Sequence, residues 1–122
     1  MSHKVPQWTT VLGLAEKYEY FLLDCDGVIW SGEEQINQAF KAIEKLESLG
    51  KKVFFLSNNS TKSAQDSADK MKRLGYSDPK PDQIFGTAYI TAQYMKKHHP
   101  FVKKAFVIGM SALKDELQKV GI

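Results

Sequence analysis

Residues 20–27 read Tyr20-Phe21-Leu22-Leu23-Asp24-Cys25-Asp26-Gly27, an apolar run cut off by two carboxylates and a glycine. A short continuous apolar run ended this abruptly predicts a buried strand of a parallel sheet. A second run, Val53-Phe54-Phe55-Leu56, ends in the same way at Ser57-Asn58-Asn59. Between them Ile36, Phe40, Ile43, Leu46 and Leu49 recur at helical spacing, and Gly50 marks the end of that helix. A strand, one helical crossover and a second strand make parallel neighbours. Their polar ends then share one edge of the sheet.

The rest of the chain extends this alternation. Thr9 or Thr10 can cap a short helix through Lys17, and Gly27 and Gly32 bracket a loop carrying Val28, Ile29 and Trp30. Ala64, Ala68, Met71 and Leu74 line one face of a helix that Gly75 ends, with Ser63 and Asp66 as a variant capping box. Residues 77–83, with Pro79 and Pro81, form a connector. Ile84-Phe85 predicts a short strand, and Thr87 caps a helix to about Lys97. Ala105-Phe106-Val107-Ile108 predicts a further strand, and Ser111 caps a last helix carrying Leu113, Leu117 and Val120. The order predicts an α/β protein, a parallel sheet with flanking helices.

Composition narrows the function. The 122 residues are 43% hydrophobic and 25% charged, enough for one core and too apolar for intrinsic disorder. The net charge is +3, and sixteen of the seventeen basic residues are Lys, with Arg73 the exception. Base-reading surfaces favour the bidentate guanidinium, so nucleic acid is not the expected partner. No apolar run has the length of a membrane span, and residues 1–17 lack the layout of a signal peptide. The single cysteine, Cys25, excludes an internal disulfide framework and a multi-cysteine zinc site. The expectation is a soluble, cytoplasmic chain.

The two strand ends carry the chemistry. In open parallel sheets ligands bind at the carboxyl ends of the strands. Asp24 and Asp26, two residues apart, repel one another unless a cation intervenes, and Mg²⁺ with oxygen ligands is the commonest candidate. Gly27 lets the backbone approach an anion, and the Ser57 hydroxyl and Asn58 N–H, where a helix follows, suit a phosphate. The set suggests phosphoryl transfer, one Asp acting as nucleophile and the other as acid and base. Either cluster alone is also ordinary turn and cap chemistry; their sharing one edge favours a site.

At these residues the chain resembles the haloacid dehalogenase superfamily. Phe21-Leu22-Leu23-Asp24-Cys25-Asp26-Gly27-Val28-Ile29-Trp30 looks like its first motif. With Ser57-Asn58-Asn59-Ser60-Thr61 and the closing Val107-Ile108-Gly109, it is similar to the branch of p-nitrophenylphosphatase, phosphoglycolate phosphatase and pyridoxal phosphate phosphatase (chronophin). The resemblance implies a Rossmann-like core in which Asp24 attacks phosphorus and Asp26 protonates the leaving group, then activates water. Mg²⁺ is held by the Asp24 carboxylate and the Asp26 carbonyl. Gly27, Ser57, Asn58 and Asn59 hold the phosphoryl group of a small phosphorylated metabolite. It further implies a cap-mediated homodimer in the longer enzyme.

The family's third motif, a Lys, and its fourth, a Gly-Asp, have no counterparts. Pro79-Lys80-Pro81 imitates the third, but no cap-sized insertion precedes it. Met110 stands where the fourth needs its first Asp. The expectation is an incomplete core over residues 1–100, with 101–122 as the first strand and helix of an α/β cap. On this reading the chain is the N-terminal part of a Mg²⁺-dependent phosphatase with little activity by itself. Two alternatives stay open: a non-catalytic phosphate-binding relic, and a metal-nucleotide glycosyltransferase, which gives Ser57-Asn58-Asn59 no role.

Other residues imitate function. Cys25 lacks the Arg six residues on that cysteine phosphatases require; Ser31 is there. Val28 breaks the calcium-loop pattern at its fifth position. His98-His99 reads as a surface pair at a helix end. Trp8 and Trp30 read as packing, or as platforms for substrate.

Overall fold

The predicted parallel pair forms. In the computed structural model, which describes residues 10–122, β1 (Tyr20–Asp24) lies parallel to β4 (Lys52–Ser57), with Leu22 opposite Phe54 and Asp24 opposite Leu56. The crossover is α2 (Ala39–Ser48). On the far side of β4, β5 (Ile84–Gly86) pairs in parallel, Ser57 opposite Gly86, giving the order β1-β4-β5. β2 (Trp30–Ser31) and β3 (Glu34–Gln35) form a separate antiparallel hairpin inside the predicted loop, with Gly32 at φ 58° in its turn. Thr9 and Trp8 lie outside the described residues.

Burial differs from expectation on one face. Phe21, Leu23, Val53, Phe55 and Ile84 point into a core shared with Ala15, Phe40, Ile43, Leu46, Ala68 and Met71. Those partners come from α1 (Val11–Lys17), α2 and α3 (Ala64–Arg73), which all cover that face. Tyr76 completes the core: it stacks on Phe40 at 5.2 Å and meets Phe55 edge-on at 6.0 Å. The opposite face carries Tyr20, Leu22, Phe54, Leu56 and Phe85, and here Tyr20 is 66% and Leu22 64% exposed. α4 (Thr87–His98) reaches this face only beside β5, where Tyr89 meets Phe85 at 5.9 Å. The apolar runs are therefore half-buried strands, because helices among the described residues layer one side of β1.

Local chemistry sets the helix ends. Thr10 caps α1, its Oγ1 accepting from the Gly13 N–H at 3.0 Å. Ile36 does not enter α2: its N–H donates to the Ile29 carbonyl at 2.8 Å, and Asn37 and Gln38 turn through left-handed φ before the helix starts. The Ser63–Asp66 capping box forms in both directions. Thr87 is not a cap; Gly86 holds that position, and the Thr87 hydroxyl donates to the Asn58 carbonyl at 3.3 Å. Met110, rather than Ser111, precedes α5 (Ser111–Lys119), which packs on α4.

Residues 105–108 form no strand. Phe106 is 94% and Ile108 90% exposed, and the described sheet offers them no neighbour. Apolar sequence supplies one half of a ladder, and the segment adopts strand geometry only where another strand supplies the other half.

Candidate active site

The parallel register brings the carboxyl ends of β1 and β4 level, so Asp24 and Ser57 stand at one edge of the sheet. Beyond Asp24 the chain folds back tightly. The Cys25 carbonyl accepts from Val28, Ile29 and Trp30 N–H groups, and the Gly27 N–H donates to the Trp30 carbonyl at 2.7 Å. Gly27 sits at φ +80°, a conformation that suits glycine, and open space surrounds the place of its missing side chain. This turn leaves Asp24, Asp26 and Gly27 exposed and Cys25 sealed beneath them.

Each carboxylate has one oxygen engaged. Asp24 Oδ1 accepts from the Cys25 N–H at 2.8 Å, and Asp26 Oδ1 from the Trp30 indole Nε1–H at 2.7 Å. The second oxygen of each has no hydrogen-bond partner among the described residues. Two exposed carboxylate oxygens are hard ligands of the kind Mg²⁺ takes while keeping several of its waters. Among the described residues no three His, Cys, Asp or Glu side chains converge into a denser ligand set.

Burial, followed by the charges of Asp24 and Asp26, pushes the Cys25 thiol up to about 12. That excludes a thiolate nucleophile near neutral pH. Trp30 is 4% exposed, with the Lys70 ammonium 4.8 Å above its ring. Trp30 serves mainly as packing, with one face covered by Lys70 and its N–H committed to Asp26, while it also forms part of the wall of the neighbouring cavity.

The β4 end is a self-bonded loop. Ser57 Oγ accepts from the Asn59 N–H at 3.2 Å, and Asn59 Oδ1 from the Thr61 N–H at 2.8 Å. α3 starts only at Ala64, and the Asp66 carboxylate already occupies its N-terminus through the capping box. α3 thus begins where the Ser63–Asp66 pair predicts, some way beyond the Ser57–Asn59 loop. What remains available there is the loop.

A cavity of about 200 Å³ opens between this loop, the hairpin and α3. Of the predicted residues it takes in Asp26, Ser57 and Asn59; Asp24, Gly27 and Asn58 are outside its lining. It also takes in Glu33, Lys62, Lys70 and Arg73, which sequence reasoning missed. Glu33 had no signal before the hairpin existed, and of the cations only Arg73 stood out in the sequence, as its single arginine. Lys80 pairs with Asp78 at 3.2 Å and is not part of the cavity wall. His98 and His99 flank Tyr94 at ring distances of 4.5 and 6.0 Å at the end of α4.

Fold and site together define an α/β protein whose acidic site lies at the carboxyl ends of its parallel strands. Residues 21–122 match the haloacid dehalogenase-like hydrolase family, and the chain belongs to it. It is 42% identical over 109 residues to a 4-nitrophenylphosphatase of Schizosaccharomyces pombe, covering 88% of this chain and 36% of that protein. It is 40% identical over 107 residues to the glycerol-3-phosphate phosphatase of Homo sapiens, covering 83% of this chain and 33% of that one. Among solved structures, a 4-nitrophenylphosphatase of Thermotoga maritima superimposes with a TM-score of 0.79 at 29% identity, over 88% of this chain and 41% of that chain. The chain thus spans about a third of the length of the curated relatives it matches.

Proposed function

We propose that the chain carries the nucleophile half of a Mg²⁺-dependent phosphatase for small phosphate monoesters. The observation that carries this is the paired carboxylates of Asp24 and Asp26 on a tight turn, level with Ser57 on the neighbouring strand. Relatives acting on 4-nitrophenyl and glycerol phosphates support the reaction class. An Asp24 carboxylate oxygen attacks phosphorus while the bond to the leaving oxygen breaks, and Asp26 gives that oxygen its proton. Asp26 then takes a proton from water, the water oxygen attacks phosphorus, and Asp24 departs as a free carboxylate. Ser57, Asn58, Asn59 and the Gly27 backbone hold the phosphoryl oxygens. Mg²⁺, held by Asp24 and the Asp26 carbonyl, supplies charge neutralisation when bound. Residues 101–122 we take as the opening of a cap over this site.

Among the described residues no lysine or arginine pairs with Asp24. An aryl phosphate is therefore turned over feebly by these 122 residues, while the acyl-phosphate mimic still forms. The test is beryllofluoride binding followed by ¹⁹F NMR. The expected result is a bound signal that requires Mg²⁺ and disappears in Asp24→Ala. Inorganic phosphate binding that survives Asp24→Ala and ignores Mg²⁺ would instead make the chain an anion-binding module.

A further inference from the structure

We infer that Trp30 is a positioning residue for Asp26, its indole N–H holding one carboxylate oxygen so that the other is presented for proton exchange; this rests on the phosphatase reading above. The bond runs from Trp30 Nε1 to Asp26 Oδ1 at 2.7 Å. Asp26 is exposed, and an exposed aspartate ordinarily samples several side-chain rotamers. Trp30 is the opposite case, 4% exposed and part of the hydrophobic core. An indole has one donor and no acceptor, and here that donor is spent on Asp26.

The surroundings of the ring make it a fixed donor. The Trp30 N–H donates to the Cys25 carbonyl at 3.3 Å, and its carbonyl accepts from the Gly27 N–H at 2.7 Å. The same residue pairs with Gln35 in the β2–β3 hairpin, and the Lys70 ammonium of α3 lies 4.8 Å from the ring centre. Turn, hairpin and helix therefore converge on the side chain that holds Asp26. Asp24 needs no such arrangement, since its Oδ1 accepts from the N–H of the next residue, Cys25, at 2.8 Å. With Asp26 Oδ1 engaged, Oδ2 is the oxygen left to take the proton of the water that attacks phosphorus as the Asp24 oxygen departs. A misplacement of about 1 Å at such a group costs on the order of a hundredfold in rate, so holding its rotamer has a direct effect on the chemistry.

Two fluorides separate this role from one in folding. Beryllofluoride on Asp24 mimics the aspartyl-phosphate and asks nothing of Asp26. Aluminium fluoride on Asp24 adds the in-line water, which Asp26 must receive, and so mimics the transition state. Both are titrated into the 122-residue chain with Mg²⁺ and followed by ¹⁹F NMR. Trp30→Phe keeps an aromatic ring and removes the donor; it should keep the beryllofluoride signal and weaken aluminium fluoride about tenfold, the scale of one charged hydrogen bond. Asp26→Ala should lose at least as much, and adding Trp30→Phe to it should cost nothing further. A purely structural Trp30 would instead weaken both complexes alike, or add its loss to that of Asp26→Ala, and either result overturns the inference. So does a native chain that takes beryllofluoride and not aluminium fluoride. Should Trp30→Phe fail to fold, the native indole ¹H–¹⁵N resonance of Trp30, one of two tryptophans, gives the answer. It should shift more with aluminium fluoride than with beryllofluoride, and equal shifts overturn the inference. Absence of any beryllofluoride signal in the native chain is a distinct result, which removes the phosphatase reading itself.

Discussion

Cys25 sits between two carboxylates with no solvent access, and its thiol is held protonated by burial first and by those charges second. Its folded value, about 12, lies above the unfolded 9.0, so the sign of the linkage is fixed. Below pH 9 both states keep the proton and stability is unaffected. As pH rises from 9 towards 12 only the unfolded thiol ionises, and stability is lost at up to about 1.4 kcal/mol per pH unit. Burial and the neighbouring Glu47 carboxylate raise the Tyr76 phenol as well, which adds to the same trend above pH 10. Urea midpoints measured from pH 8 to 10 should therefore fall, and Cys25→Ala should flatten that fall. The native thiol should also resist aromatic disulfide reagents at pH 8 until the chain unfolds. At this scale the sequence made Asp24, Asp26 and Ser57 legible through spacing. It could not show that Trp30 spends its indole N–H on Asp26, because that bond depends on how residues 25–30 fold back.

Among the elements, α3 shows most directly how local chemistry fixes a boundary. Ser63 Oγ accepts from the Asp66 N–H at 3.1 Å, and Asp66 Oδ2 accepts from the Ser63 N–H at 2.9 Å. The hydrogen bond from Ser63 holds the Asp66 carboxyl below its usual range, although Asp66 is exposed. Ser63→Ala should cost about 1 kcal/mol, read as a lower urea midpoint at neutral pH. The capping box was legible because it needs only residues three apart. Thr87 and Ser111 carry the right side chains and are not caps, since a cap also needs the preceding backbone to turn at that residue. Ile36 likewise obeys helical spacing, yet its N–H is drawn to the Ile29 carbonyl by the β2–β3 hairpin.

Over the molecule as a whole the sheet is asymmetric: a helical layer seals one face, and Tyr20, Leu22 and Leu56 stand exposed on the other. β1 is an edge strand of the described sheet, and it carries no charged residue before Asp24. Open apolar edges recruit other strands. Sedimentation velocity should show association that grows with concentration, and Leu22→Lys, which puts a charge on that face, should weaken it severalfold. A monomer at all concentrations would contradict this. The alternation β1-α2-β4-α3-β5-α4, the parallel pairing of β1 with β4 and the acidic and hydroxyl residues at two strand ends were determined by the sequence itself. Each follows from apolar periodicity, punctuation and spacing, which are properties of neighbouring residues. Only the tertiary structure decided which face of the sheet is buried, that residues 105–108 remain unpaired, and that Lys70 and Glu33 share a cavity with Asp26. Those outcomes depend on which distant surface each segment meets, and local sequence does not encode that meeting.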